Sequence, residues 1–192
     1  MSVRRLWFTK LGLALALVAA LAILAPMVGF AATKSGYQIL RNMGSAKCLD
    51  DTGWSRSQGV QMQQWTCGSP QQDNQIWNLN YVGGSGGTSW LIQNKYSGMC
   101  LDVYQAKYQN GTPIVQWPCD GSDLAQQFVP ISSGNPCTGG TFYDFKAYAA
   151  SAYTIEVYGQ SNTNGAKVDL WSDWGGLYQT WYNCASPSLP VG

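Results

Sequence analysis

The sequence predicts an all-β fold made of three copies of one unit, closed around a pseudo-threefold axis. Three observations predict it. The segment Cys48-Leu49-Asp50 recurs 52 residues on as Cys100-Leu101-Asp102. Gly, Asn, Ser and Asp clusters fall about every ten residues, too often for helices, with Val, Ile, Trp and Tyr between them. A Gln-x-aromatic signal closes each unit, at Gln75-Ile76-Trp77, Gln126-Gln127-Phe128 and Gln179-Thr180-Trp181. Four short strands per copy make twelve, and threefold closure removes the sheet edges they would otherwise expose.

Residues 1–31 stand before the repeats. Arg4, Arg5 and Lys10 precede an apolar run from Leu11 to Ala25, Pro26 breaks it, and Gly29-Phe30-Ala31 supplies small residues for a peptidase. The run is shorter than the ~20 residues that span a bilayer, so it reads as a secretory signal peptide cleaved after Ala31 rather than an anchor. The expected mature protein, 32–192, is secreted, has no membrane association after cleavage, and carries a small net negative charge once those three cations are gone.

Composition narrows the function. The 192 residues hold 11 Lys+Arg, 10 Asp+Glu and no His, with 11% charged and 13% aromatic residues. That balance lacks the basic face a nucleic-acid binder needs. Without His, the commonest general base and metal ligand is missing. All 6 Cys follow the leader, an even count that reads as disulfides in an exported chain. No zinc pattern or Asp/Asn-rich calcium loop is visible, so neither metal nor cofactor is expected.

The repeats run over about 37–82, 88–132 and 137–184. Eleven residues after each first Cys stands Gly59 or Gly111; seventeen after, Trp65 or Trp117; nineteen after, Cys67 or Cys119. Matching Gly165 to those glycines places Thr154 and Asp173 at the two Cys positions, Glu156 at the Asp and Trp171 at the Trp. Both half-cystines are missing together in the third copy, so the expected pairs are Cys48–Cys67 and Cys100–Cys119, which leaves Cys137 with Cys184. Three residues past the shared Gly stand Met62, Ile114 and Val168, always apolar; six past it is always Trp. These positions are an odd number apart, so in a strand they face opposite ways. With the apolar three inward, Trp65, Trp117 and Trp171 point out, together with Gln63, Val115 and Asp169, while Gln116 points in. The aromatics Trp77, Phe128 and Trp181 read as a core layer. Trp54, Trp90 and Trp174 lie outside the pattern, and Asn110-Gly111-Thr112 reads as a turn rather than a glycosylation site.

Three such units resemble the ricin-type lectin domain, also called carbohydrate-binding module family 13, over about residues 37–184. The resemblance implies a disulfide-stapled β-trefoil with up to three shallow sugar pockets, each using the Asp of Cys-Leu-Asp, the Gln two before the Trp, the Trp, and the Asn before the closing Gln. The first copy matches fully with Asp50, Gln63, Trp65 and Asn74, buttressed by Gln75. The second keeps Asp102, Trp117 and Gln126 but has Val115 and Ala125 in place of Gln63 and Asn74, which implies a weaker pocket. The third has Glu156, Asp169 and Trp171, with Tyr178 in the Asn position. Its two acids side by side repel, which implies at most a weak third site that does not bind a neutral sugar as the first does and leaves a cation or amino sugar open.

The resemblance implies a non-catalytic carbohydrate-binding protein whose partner is a mono-, oligo- or polysaccharide, of galactose type or a plant polymer such as xylan. Two alternatives compete. A protein-binding trefoil, inhibitor or toxin-like, has no reason to keep Asp50, Gln63, Trp65 and Asn74 together. A glycosidase needs two carboxylates flanking a cleft, for which Asp50-Asp51 or Glu156 with Asp169 are the candidates.

Overall fold

The computed structural model describes residues 36–83, 88–132 and 140–183. The proposed leader, Cys137 and Cys184 lie outside the described residues. The chain divides into units 1–32 and 33–192, and all described residues belong to the second.

Thirteen strands form among the described residues. The first copy holds β1 (Gln38–Ile39), β2 (Arg41–Asn42), β3 (Cys48–Asp50), β4 (Gln63–Trp65) and β5 (Ile76–Tyr81). The second holds β6 (Trp90–Asn94), β7 (Cys100–Val103), β8 (Thr112–Trp117) and β9 (Phe128–Ile131). The third holds β10 (Phe142–Ala147), β11 (Ala150–Val157), β12 (Val168–Ser172) and β13 (Thr180–Tyr182). The count exceeds the expected twelve because the first strand of copy one breaks at Leu40. There it changes partner: β1 pairs with β5, whereas β2 pairs with β13 and β3. In the other copies β6 and β10 make the equivalent pairings unbroken.

The pairings close a six-membered antiparallel ring, β1/β2–β5–β6–β9–β10–β13. Three hairpins, β3–β4, β7–β8 and β11–β12, cap one end. They join one another through β8–β12 and the bridges Gln61–Val115 and Gln63–Lys167. This is a β-trefoil.

The core follows from the alternation. Met62, Ile114 and Val168 are fully buried. They meet at the axis, where the Met62 amide donates to the Ile114 carbonyl (2.8 Å) and the Val168 amide to that of Met62 (3.1 Å). Trp77, Phe128 and Trp181 are buried beside them. Two of the three also fix the strand before the site, since the Trp77 indole donates to the Leu49 carbonyl at 3.0 Å and that of Trp181 to Ile155 at 3.3 Å.

The shared glycines have a backbone reason. Gly59, Gly111 and Gly165 sit at φ +80°, +80° and +82°, a region that disfavours any Cβ. Each donates to a carbonyl of another copy, Gln116, Leu170 and Gln64 respectively, at 2.8–2.9 Å. A methyl at these positions would stand 3.5, 3.9 and 3.6 Å from the rings of Trp117, Trp171 and Trp65. Each copy's glycine turn therefore lies under the tryptophan of a neighbouring copy.

Cys48–Cys67 and Cys100–Cys119 are disulfide-bonded. In copy three the staple is replaced by polar contacts: Thr154 Oγ1 donates to the Phe145 carbonyl (3.0 Å) and Lys146 pairs with Asp173 (2.7 Å). Asn110 behaves as a turn residue whose Oδ1 accepts from the Ser172 amide at 2.7 Å.

Candidate functional site

In copy one, Asp50 closes β3 and faces Gln63 across the β3–β4 register. Met62 and Gln64 point inward, Gln63 and Trp65 outward, and Trp65 is 43% exposed. The Asp50 carboxylate is held by side chains rather than by turn amides. Oδ1 accepts from Gln63 Nε2 at 2.8 Å; Oδ2 accepts from Asn74 Nδ2 at 3.0 Å and Gln75 Nε2 at 2.9 Å. Burial raises its pKa, and the amides of Gln63, Gln75 and Asn74 partly offset that. Oδ1 has one protein donor, so a lone pair remains for a hydroxyl.

Gln75 does not face solvent: it is 1% exposed, with both amide ends occupied. Its Nε2 also donates to the Thr66 carbonyl (3.1 Å), and its Oε1 accepts from the Gly68 amide (2.8 Å). Gln126 repeats this, donating to Asp102 (3.2 Å) and the Pro118 carbonyl (3.0 Å) and accepting from the Asp120 amide (2.9 Å). Gln179 does the same with Glu156 (2.8 Å), the Ser172 carbonyl (2.9 Å) and the Trp174 amide (3.0 Å). These glutamines aim the carboxylates and tie down the loops that follow Trp65, Trp117 and Trp171.

Asp51, beside Asp50, is fully buried, and neither carboxyl oxygen has a hydrogen-bond partner. Its pKa is raised to about 7 by burial and then by the Asp50 charge; the nearby Ser55 amide opposes this. Sealed away, it cannot flank a cleft with Asp50. Its burial has no signature in the repeat pattern.

In copy two, Asp102 faces Val115 across the β7–β8 register. A cleft of about 320 Å³ opens there, lined by Asp102, Tyr104, Gln105, Ala106, Trp117 and Asp123. The losses that imply a weaker pocket leave room, because Val115 and Ala125 do not reach across the carboxylate as Gln63 and Asn74 do. Asp102 is raised to about 6 by burial, lowered by Gln126 and raised again by Asp123. Tyr104 and Asp123 escaped the sequence reading. Tyr104 opens a turn whose next residues, Gln105 and Ala106, are left-handed at φ 56° and 52°. Asp123 caps the following 3-10 turn, accepting from the Ala125 amide at 2.9 Å. Gln116 faces inward, as the alternation requires, donating to the Ser55 and Ser57 carbonyls at 3.0 Å each.

In copy three, Glu156 and Asp169 stand opposite each other on β11 and β12. Both are 5% exposed. Trp174, outside the repeat pattern, donates its indole N–H to Glu156 Oε2 at 2.7 Å. Asp169 Oδ1 has no partner, and burial followed by the Glu156 charge lifts its pKa to about 7. Tyr178, in the Asn74 position, turns away: its hydroxyl donates to Asn162 at 3.0 Å and its ring lies against Gly44. Trp171 is half-buried.

Three solved structures illustrate the likeness. ThreeFoil, a designed threefold-symmetric protein, is 26% identical with a TM-score of 0.67, over 77% of this chain and 98% of its own. The exo-β-1,3-galactanase 1,3Gal43A of Clostridium thermocellum is 28% identical with a TM-score of 0.66, over 77% of this chain but 29% of the enzyme. The C-terminal half of an earthworm R-type lectin, solved with GalNAc, is 19% identical with a TM-score of 0.55, over 77% and 97%. No curated protein sequence matches the chain. A family model described as ricin-type β-trefoil lectin domain-like matches residues 28–117 and 73–171. With the trefoil and the threefold carboxylate–glutamine arrangement, those matches place the chain in the ricin-type β-trefoil lectin domain-like family.

Proposed function

We propose that this protein is a secreted, non-catalytic lectin whose first and second copies bind galactose-type sugars. One observation carries the reading: in both copies a buttressed, nearly buried carboxylate stands beside an exposed indole, Asp50 with Trp65 and Asp102 with Trp117. A pyranose lays its C–H face on such a ring while adjacent hydroxyls donate to the carboxylate, so stereochemistry is read where the two meet. The GalNAc-bound earthworm lectin and the galactanase favour galactose over xylan as the ligand. The non-catalytic reading rests on Asp51 being sealed and Asp50 being tied by three amides, which leaves no pair to flank a glycosidic bond there. Export fits the apolar leader and the disulfides.

Single shallow pockets correspond to millimolar to high-micromolar binding, about −4 to −6 kcal/mol, with avidity on multivalent glycans. Calorimetric titration with lactose, and with xylan oligomers as the competing ligand, tests the proposal. Asp50→Ala and Asp102→Ala are each expected to remove one site, and the double variant all lactose binding. Unchanged titrations for Asp50→Ala, Trp65→Ala and Asp102→Ala would refute it.

A further inference from the structure

The third copy has exchanged amide donors for a second acid. Where Gln63 donates to Asp50, Asp169 faces Glu156, and the Asn74 donor is gone. Among the described residues no cation pairs with either acid; the ion pairs there are Lys95–Asp73 and Lys146–Asp173. Asp169 is more than nine-tenths buried, with Oδ1 unpartnered.

Aromatic rings surround these carboxyl groups. Trp171 lies two residues past Asp169 on the same face of β12. The Tyr158 ring, two past Glu156, lies 6.4 Å from that of Trp171 at 60°. Trp174 reaches Glu156 directly, its indole lying across Gly176, where a methyl would come within 1.7 Å of the ring. Copies one and two have Gly68 and Asp120 in the place of Trp174, so this arrangement belongs to copy three alone.

The geometry points to a cation site in the third copy, fitted to the protonated amine of an amino sugar, with the ammonium at Glu156 and Asp169 and the pyranose face on Trp171. Opposed buried carboxylates are costly until a positive charge joins them, and the Trp171 ring offers the pyranose an apolar face. A neutral hydroxyl brings no such charge. Glu156 and Asp169 are as accessible as Asp50 and Asp102, whose places they share in the fold. The inference rests on the lectin reading for the sugar but on copy three's own residues for the charge.

Binding is linked to pH. The groups around Asp169 are Glu156 from β11, the non-titratable Thr112 and Pro113 from β8, Tyr158 beyond β11, and Lys167 just before β12, whose ammonium pairs with neither acid. With Asp169 at about 7, a cation expels its proton. For a ligand of fixed charge, affinity then rises about tenfold from pH 6 to pH 8.

The test titrates the purified protein with N,N,N-trimethylglucosamine, glucosamine, N-acetylglucosamine and tetramethylammonium. The two amino sugars are expected to bind at least tenfold more tightly than N-acetylglucosamine, and the trimethylated one to strengthen with pH. Asp169→Asn, which keeps the side chain's shape, is expected to abolish amino-sugar binding and its pH dependence while leaving lactose titration intact. Trp174→Phe, which removes the N–H that meets Glu156 together with the pyrrole ring that carries it, is expected to weaken it severalfold. Equal binding of N-acetylglucosamine, or amino-sugar binding unaffected by Asp169→Asn, would overturn the site. Tetramethylammonium binding as tightly as the amino sugars would overturn the sugar assignment. Loss of lactose binding alone would count against the proposed function and not against this site.

Discussion

Replacing Gln75 by Met tests whether the closing glutamines hold the molecule together as well as its sites. Met preserves length and volume but offers no amide. The change removes the donor to Asp50 (2.9 Å), and it leaves the Thr66 carbonyl and Gly68 amide without the partners they meet at 3.1 and 2.8 Å. A hydrogen bond to a charged acceptor contributes about 1.5–3 kcal/mol and an ordinary one about 1 kcal/mol, while an orphaned buried group costs about 1–3 kcal/mol. Water can reach the part-buried loop end, so the expected loss is about 2–4 kcal/mol. For a domain of this size that lowers Tm by about 4–16 °C at 2–4 °C per kcal/mol. Thermal and urea unfolding measure it. The arrangement recurs at Gln126 and Gln179 with all bonds between 2.8 and 3.2 Å, so Gln126→Met and Gln179→Met should cost similar amounts. Gln75→Met alone among the three should weaken lactose binding at copy one. A loss under 1 kcal/mol in every variant, or a large loss in only one, would refute the reasoning.

Other outcomes follow from the same structure. Converting Cys48 and Cys67 together to Ser frees a loop with a sequence separation of 19 and should cost about 3 kcal/mol in urea unfolding. Gly165→Ala places a side chain at φ +82° with ordinary clearance from Trp65; backbone strain alone should cost about 1–2 kcal/mol, read as a lower urea midpoint. Asp51 and Asp169 at about 7, and Asp102 at about 6, bind protons more tightly folded than unfolded. Their stabilising effect is therefore complete below about pH 4 and is lost as pH rises through 6 to 7. Urea titrations should show stability falling over that interval, and the double variant Asp51→Asn/Asp169→Asn should flatten the fall.

The axis and the core were legible because they leave periodic marks. Met62, Ile114 and Val168 repeat at one register, and a strand's two-residue alternation converts that register into an inside and an outside. The glycines were legible as positions, but their left-handed φ and their place beneath a neighbour's tryptophan come only from the tertiary arrangement. The break at Leu40 left no mark, since it arises from a change of pairing partner and not from a breaker residue. Gln75 and Gln126 were legible as part of the site, yet their burial makes them supports rather than contact surfaces.

The sites were least legible where the copies diverge, and the reason is physical. The scaffold's demands are threefold: each copy must satisfy the same orphaned loop groups, so a glutamine returns every time. The pocket's demands are local, because nothing outside it depends on which donor meets the carboxylate. Substituting Val115 for an amide opens a cleft, and substituting Asp169 for one leaves a buried carboxyl oxygen without a partner. Read by matching, both changes look like losses from one pattern. Read by what each leaves unsatisfied, they differ: room beside an indole in copy two, and two opposed carboxyl groups, one with an unpartnered oxygen, in copy three, the features on which the two ligand proposals rest. A repeat protein can vary such positions without disturbing its barrel, because the buttress that secures the fold lies behind the carboxylate and the residues proposed to choose the ligand lie in front.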